Sequence, residues 1–299
     1  MSREDRAAVR TTIEKGKLGR SPEAARESFD ERFGGLPLGD DVTLAQRRLG
    51  SIPALDVKVA GADSHGVILY LHGGAYEIGS ARTGANLAAP LSRRSGVPAV
   101  SLEYRLAPEH PFPAALHDAL AAYRELVESG QPVVVAGDSA GGGLALATLL
   151  AARAEGLPMP AGAVVFSPWA DTTLSGASID ARSDYDPMFS RAHMVESAAR
   201  YLGGADPRNE LASPLFGDLT GFPPLLVQVG SAEVLLDDSL RLVARAAEQE
   251  VDVSLDVLAG APHVFQYFAD VLPEADEALD RAATFIRNRV RDKSVGAVA

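Results

Sequence analysis

From about Leu55 onward, short apolar runs rich in β-branched residues alternate with longer stretches in which apolar residues recur every three or four positions. The runs cover 55–60, 66–71, 97–102, 132–136, 161–167, 224–229 and 253–258. The helical patterns cover 84–95, 114–129, 140–154, 237–249 and 274–291. Apolar strands interleaved with helices predict an α/β fold, with a mostly parallel sheet covered by helices on both faces. The run 55–60 alternates polar and apolar positions more regularly, which predicts an antiparallel edge strand.

Two stretches fall outside this rhythm. Residues 1–50 are polar and charged and are read as helical pieces. Within them Ser21-Pro22-Glu23-Ala24 offers a helix cap followed by proline at the first helical position. The segment 171–222 contains Asp184-Tyr185-Asp186-Pro187, a helical stretch around 192–202, and Gly203-Gly204-Ala205-Asp206-Pro207. It is read as an excursion from the sheet. Residues 294–299 are read as a frayed end.

Composition narrows the classes. With 299 residues and 46% hydrophobic content the chain can bury one large core and is not disordered. The absence of cysteine excludes disulfides, thiolate metal sites and a cysteine nucleophile, and suits a cytoplasmic location. A net charge of −12 without a basic block argues against nucleic acid and against an anionic membrane surface. The first thirty residues alternate charges and lack the apolar core of a secretory signal. Residues 133–152 carry a single charge, Asp138, but four glycines at 137 and 141–143 interrupt them. A strand, a tight turn and a buried helix fit that stretch better than a membrane span.

The turn in that stretch carries the first candidate chemistry. Gly137-Asp138-Ser139-Ala140-Gly141 follows an apolar strand and opens an apolar helix, the context in which G-x-S-x-G presents a nucleophilic serine. The helix N-terminus behind Ser139 favours a developing oxyanion. Upstream, His72-Gly73-Gly74-Ala75 closes another strand, and two adjacent glycines let backbone N–H groups approach a substrate.

Together with Tyr104-Arg105-Leu106-Ala107-Pro108-Glu109-His110-Pro111-Phe112-Pro113-Ala114-Ala115, these strings resemble the bacterial hormone-sensitive-lipase family of α/β-hydrolase esterases, over roughly residues 55–291. The resemblance implies an eight-stranded, mostly parallel sheet. It also implies a helical cap built from residues 1–50 and an insertion within about 171–222, on a catalytic domain spanning 51–299. The implied reaction is hydrolysis of short- to medium-chain acyl esters without metal or cofactor. Two departures stand out. The family's third oxyanion-loop glycine is Ala75 here, and its acid motif D-P-L-x-D reads Glu233-Val234-Leu235-Leu236-Asp237. That register makes Glu233 the acid, with Asp237 four residues on as the alternative. Of six histidines only His263 follows the acid motif, as the order serine, acid, histidine requires.

The expected site is therefore Ser139, Glu233 and His263, with an oxyanion hole of Gly73, Gly74 and Ala140. The leading reading is a serine carboxylesterase. Its alternatives are a lactone hydrolase with the same triad and a non-catalytic ligand receptor, against which the presence of Ser139 and His263 argues. The expected partner is a small-molecule ester or lactone. A homodimer is a further expectation, since similar esterases frequently form one.

Overall fold

The computed structural model describes residues 22–296 together with Val9, Thr11 and Ile13. Ser21 and residues 297–299 lie outside the described residues, and with them the expected cap and part of the expected frayed end. Residues 294–296 belong to the final helix rather than fraying.

Helix α1 (Pro22–Phe29) begins at the expected proline. Strands β1 (Val42–Leu49) and β2 (Ile52–Val59) then form an antiparallel hairpin, with Leu49 opposite Ile52 and Val42 opposite Val59. This corrects the reading of residues 1–50 as helical pieces at 42–49 only, since residues 22–34 are helical as expected. Gly50, at φ 60°, reverses the chain in a two-residue turn. Because β1 has one neighbour and stays largely half-exposed, its sequence is too polar to announce a strand. The boundary expected after residue 50 thus falls within the hairpin turn, and residues 42–49 belong to the sheet. The edge strand is β1, while β2 pairs antiparallel with β4 (Ala99–Leu102) on its other side.

The remaining elements follow the predicted alternation. Strand β3 (Val67–Leu71) leads into α2 (Ala81–Ser95), and β4 into α3 (Ala114–Glu128). Strand β5 (Val133–Asp138) leads into α4 (Ala140–Ala154), followed by β6 (Gly162–Phe166). The excursion then carries α5 (Ser178–Ala181) and α6 (Arg191–Leu202). The chain returns through β7 (Leu225–Gly230), α7 (Leu236–Glu248), β8 (Val253–Leu258) and α8 (Pro273–Gly296). The eight strands lie in the order β1-β2-β4-β3-β5-β6-β7-β8, parallel from β4 to β8.

The sheet separates two apolar clusters. Val133 and Val135 of β5 face α3, α4 and α7, whereas Val134 and Ala136 face α2 and α8. Burial on both faces explains why β3, β5, β6 and β7 read as near-continuous apolar runs. Parallel strands bring the loops after β3, β5, β6, β7 and β8 to one edge, where open α/β sheets hold their chemistry. Among the described residues no helix is long and apolar enough to cross a membrane.

Candidate active site

Ser139 sits between β5 and α4 with φ 54° and ψ −122°, a backbone conformation that non-glycine residues avoid. Neighbouring chain holds it there. Its N–H donates to the Phe166 carbonyl at 2.8 Å, and its carbonyl accepts the Trp169 N–H at 2.9 Å. The flanking glycines are required by space. A Cβ on Gly137 would collide with the Gly141 carbonyl, and one on Gly141 with the Leu71 carbonyl. Among the described residues no hydrogen bond occupies the Ser139 hydroxyl.

The structure brings His263 and Glu233 together. The Glu233 carboxylate is fully buried. Its Oε1 lies 3.2 Å from His263 Nδ1, and its Oε2 accepts the Ser167 hydroxyl at 2.8 Å and the Gly230 N–H at 3.2 Å. Ser167 Oγ also accepts the Val264 N–H at 3.1 Å, so one hydroxyl ties the acid to the histidine loop. Since Ser139 hangs from Phe166 and the histidine loop from Ser167, adjacent residues at the end of β6 anchor both. His263 Nε2 is buried without a hydrogen-bond partner among the described residues. Burial pushes the His263 imidazole down. The charge and hydrogen bond of Glu233, with the charges of Asp186 and Asp138, more than offset this and hold its pKa above the ordinary value. Asp237 stands apart. Its Oδ2 accepts the Ser178 N–H at 2.9 Å, which ties α7 to the excursion.

The expected oxyanion donors need one correction. The Gly73 N–H donates to Asp138 Oδ1 at 3.0 Å, so it is already committed to a carboxylate of the protein. The N–H groups of Gly74, Ala75 and Ala140 have no partner among the described residues, and Ala140 is the first residue of α4. Asp138 also accepts the Tyr70 hydroxyl at 2.7 Å, and burial pushes its carboxyl up to about 6. It anchors the loop that carries Gly74 and Ala75.

The excursion reaches the same edge. Asp186 Oδ2 accepts the Val234 N–H at 2.9 Å, next to Glu233, and its Oδ1 accepts the Phe189 N–H at 3.1 Å. The Phe189 ring meets the His263 ring edge-on at 5.0 Å. Sequence reasoning missed Ser167, Asp186 and Phe189 because each acts on a residue at least 48 positions away. A hydroxyl at a strand's C-terminal end was the one signal available for Ser167. Trp169 packs, buried, with its Nε1–H on the Asp171 carbonyl at 3.1 Å. His72 is buried and stacked on Tyr104, and burial lowers its pKa to about 4. His65, His110, His117 and His193 are exposed.

The family model described as the α/β-hydrolase fold matches residues 68–267. An acetyl-hydrolase of Streptomyces hygroscopicus is 45% identical over 268 residues, 88% of each chain. An esterase of Acinetobacter venetianus is 34% identical over 94% of this chain and 92% of its own. The crystal structure of an esterase from the bacterial hormone-sensitive lipase family superposes with a TM-score of 0.93. It is 40% identical and covers 97% of this chain and 99% of its own.

Proposed function

The chain belongs to the hormone-sensitive-lipase family of bacterial α/β-hydrolase esterases, and on that premise we propose that it hydrolyses small carboxylic esters through Ser139, His263 and Glu233. The observation that carries the assignment of roles is the buried Glu233–His263 contact, which spends Nδ1 and leaves Nε2 over. An imidazole held in that tautomer can accept a proton at Nε2 only. The Ser139 hydroxyl passes its proton to Nε2 as its oxygen bonds to the ester carbonyl carbon. The N–H groups of Gly74, Ala75 and Ala140 hold the resulting oxyanion. Its collapse expels the alcohol, which takes the proton from His263. Water then repeats the sequence on the acyl-enzyme and releases the acid.

Residues 171–222 act as a cap over this edge, together with the segment before β1. The contacts of Phe189 with His263 and of Tyr201 with Tyr76 support this role. Tyr76, Trp169 and Tyr201 are all buried, their rings pack on one another, and the Trp169 N–H bonds the Ser139 carbonyl, so we read that flank of the serine turn as closed. The acyl group that fits is accordingly small, in keeping with the name of the Streptomyces relative. In a series of p-nitrophenyl esters, kcat/KM for acetate and butyrate is expected to exceed that for dodecanoate by roughly 100-fold or more, about 2.7 kcal/mol. Equal values across the series contradict a closed flank.

The raised His263 pKa sets the acid limb of the pH profile. The base must be neutral to act, so activity is lost as pH falls through that pKa. The limb is expected above the ordinary histidine value of about 6.5. Its position is read from kcat/KM with an ester that does not itself ionise. A limb below 6 means that Glu233 is not charged beside His263. The assignment as a whole is tested by hydrolysis of p-nitrophenyl butyrate together with stoichiometric labelling by a serine-directed phosphonate. Absence of turnover, or a label away from Ser139, overturns it.

A further inference from the structure

The turn after β3 that carries Gly74 and Ala75 is held in an unfavourable shape. Ala75 and Tyr76 are consecutive non-glycine residues in the left-handed region, at φ 55° and φ 64°. Inside the turn, the N–H groups of Glu77 and Ile78 donate to the Gly74 carbonyl at 2.9 and 3.0 Å. Two short-range hydrogen bonds are a thin restraint on two adjacent disfavoured residues, so the remainder must come from outside.

Much of it comes from the last turn of α6. The Tyr201 ring stacks on the Tyr76 ring at 3.7 Å with the planes 9° apart. The preceding residue, Arg200, pairs through Nε with Oε1 of Glu77, and its Nη2 lies 3.3 Å from Oε2. Consecutive residues of a helix in the excursion thus grip consecutive residues of the turn. The Glu77 carboxylate is nearly buried, whereas Arg200 is partly exposed, so the arginine is the more replaceable partner. Two further contacts fix the rear of the turn. The Tyr76 carbonyl accepts the Ala107 N–H at 2.8 Å, and the Glu77 carbonyl accepts Arg26 Nε at 2.7 Å. Helix α6 is itself docked, its Tyr201 carbonyl accepting the Phe112 N–H at 2.7 Å.

We infer that Arg200 is a positioning residue for the oxyanion hole: by holding Glu77 it keeps the left-handed turn closed, so that the Gly74 and Ala75 N–H groups stay aimed at the oxygen beside Ser139. The inference rests on the proposed esterase reading, and specifically on those two donors. Substitution at Arg200 therefore acts on the transition state, where the oxyanion is fully developed, more than on ester binding.

The test is Arg200→Gln, which removes the charge and the forked geometry but keeps a polar chain. With p-nitrophenyl butyrate, kcat per active site titrated with phosphonate is expected to fall about tenfold or more while KM stays within threefold. The affinity for a boronic acid that forms a tetrahedral adduct on the serine weakens by a factor matching the loss in kcat/KM. Adding Ala75→Gly recovers part of the loss, because glycine occupies the left-handed region without penalty. A kcat per titrated site within twofold of the unsubstituted protein overturns the inference. So does a loss confined to KM, or to the number of titratable sites. Should Arg200→Gln not fold, Tyr201→Leu removes the adjacent grip and is held to the same outcomes. Turnover by the unsubstituted protein, abolished in Ser139→Ala, tests the underlying reading separately. If that holds while Arg200→Gln is silent, this inference alone fails.

Discussion

Ser139→Ala is expected to lower kcat for p-nitrophenyl butyrate by a factor on the order of 10⁵–10⁶, with the fold intact. The size of the effect follows from the elbow. The serine stands at φ 54° on a turn whose neighbours at 137 and 141 are glycines, so no second hydroxyl can take its place. The remaining rate comes from the oxyanion donors and binding alone. Stability should change little. Among the described residues the hydroxyl makes no hydrogen bond that the alanine would break, and both residues meet the same left-handed penalty. Circular dichroism and the melting temperature check the fold, and steady-state kinetics with active-site titration check the rate. A folded variant that retains more than about a hundredth of the activity is incompatible with Ser139 as the nucleophile.

Glu233→Gln is expected to cost on the order of 10²–10⁴ in kcat, whereas Asp237→Asn leaves kcat within about twofold. Three donors converge on the Glu233 carboxylate: the Nδ1 edge of His263, the Ser167 hydroxyl and the Gly230 N–H. A glutamine has one oxygen and one NH₂, so one orientation sets N–H against Nδ1 and favours the tautomer whose Nε2 already carries a proton. The other orientation sets NH₂ against Ser167 and Gly230 and leaves buried groups unsatisfied. Loss of the carboxylate charge also lets burial dominate at His263, which moves the acid limb of the pH profile down. Asp237 makes its bonds to Ser178, and an asparagine oxygen can still accept the Ser178 N–H. Its replacement therefore costs stability, about 1 kcal/mol or less, rather than rate. Kinetics and urea melts on the two variants separate the cases. A severe rate loss in Asp237→Asn beside a near-normal Glu233→Gln would reverse the assignment of the acid.

Several features are legible in the sequence because they are local. The alternation of apolar runs and helical stretches follows from a sheet buried on both faces, and it marked seven of the eight strands. The serine turn was legible for the same reason. Strand, glycines and helix are contiguous, and the glycines at 137 and 141 are demanded by backbone only a few residues away or on the adjoining strand. His263 and Glu233 could be placed by their order along the chain together with the family resemblance, and the structure brings their side chains into contact.

The strand at 42–49 shows where local patterning stops. An edge strand is half-exposed, so its side chains carry no apolar signature, and it exists because β2 supplies a partner in full register. The oxyanion donors show the same limit in hydrogen bonding. Which of the N–H groups of Gly73, Gly74 and Ala75 is left unspent depends on a carboxylate 65 positions away that takes the Gly73 N–H. The grip of Arg200 on Glu77 spans 123 positions, and that of Asp186 on Val234 spans 48. By itself, then, the sequence of this protein determined its layered α/β architecture and the residue types of its candidate triad, because periodicity, glycine turns and chain order are written in neighbouring residues. Only the tertiary structure decided which N–H groups remain unspent and what holds the donor turn in its disfavoured shape, because each donor commits to whichever acceptor the folded chain brings beside it.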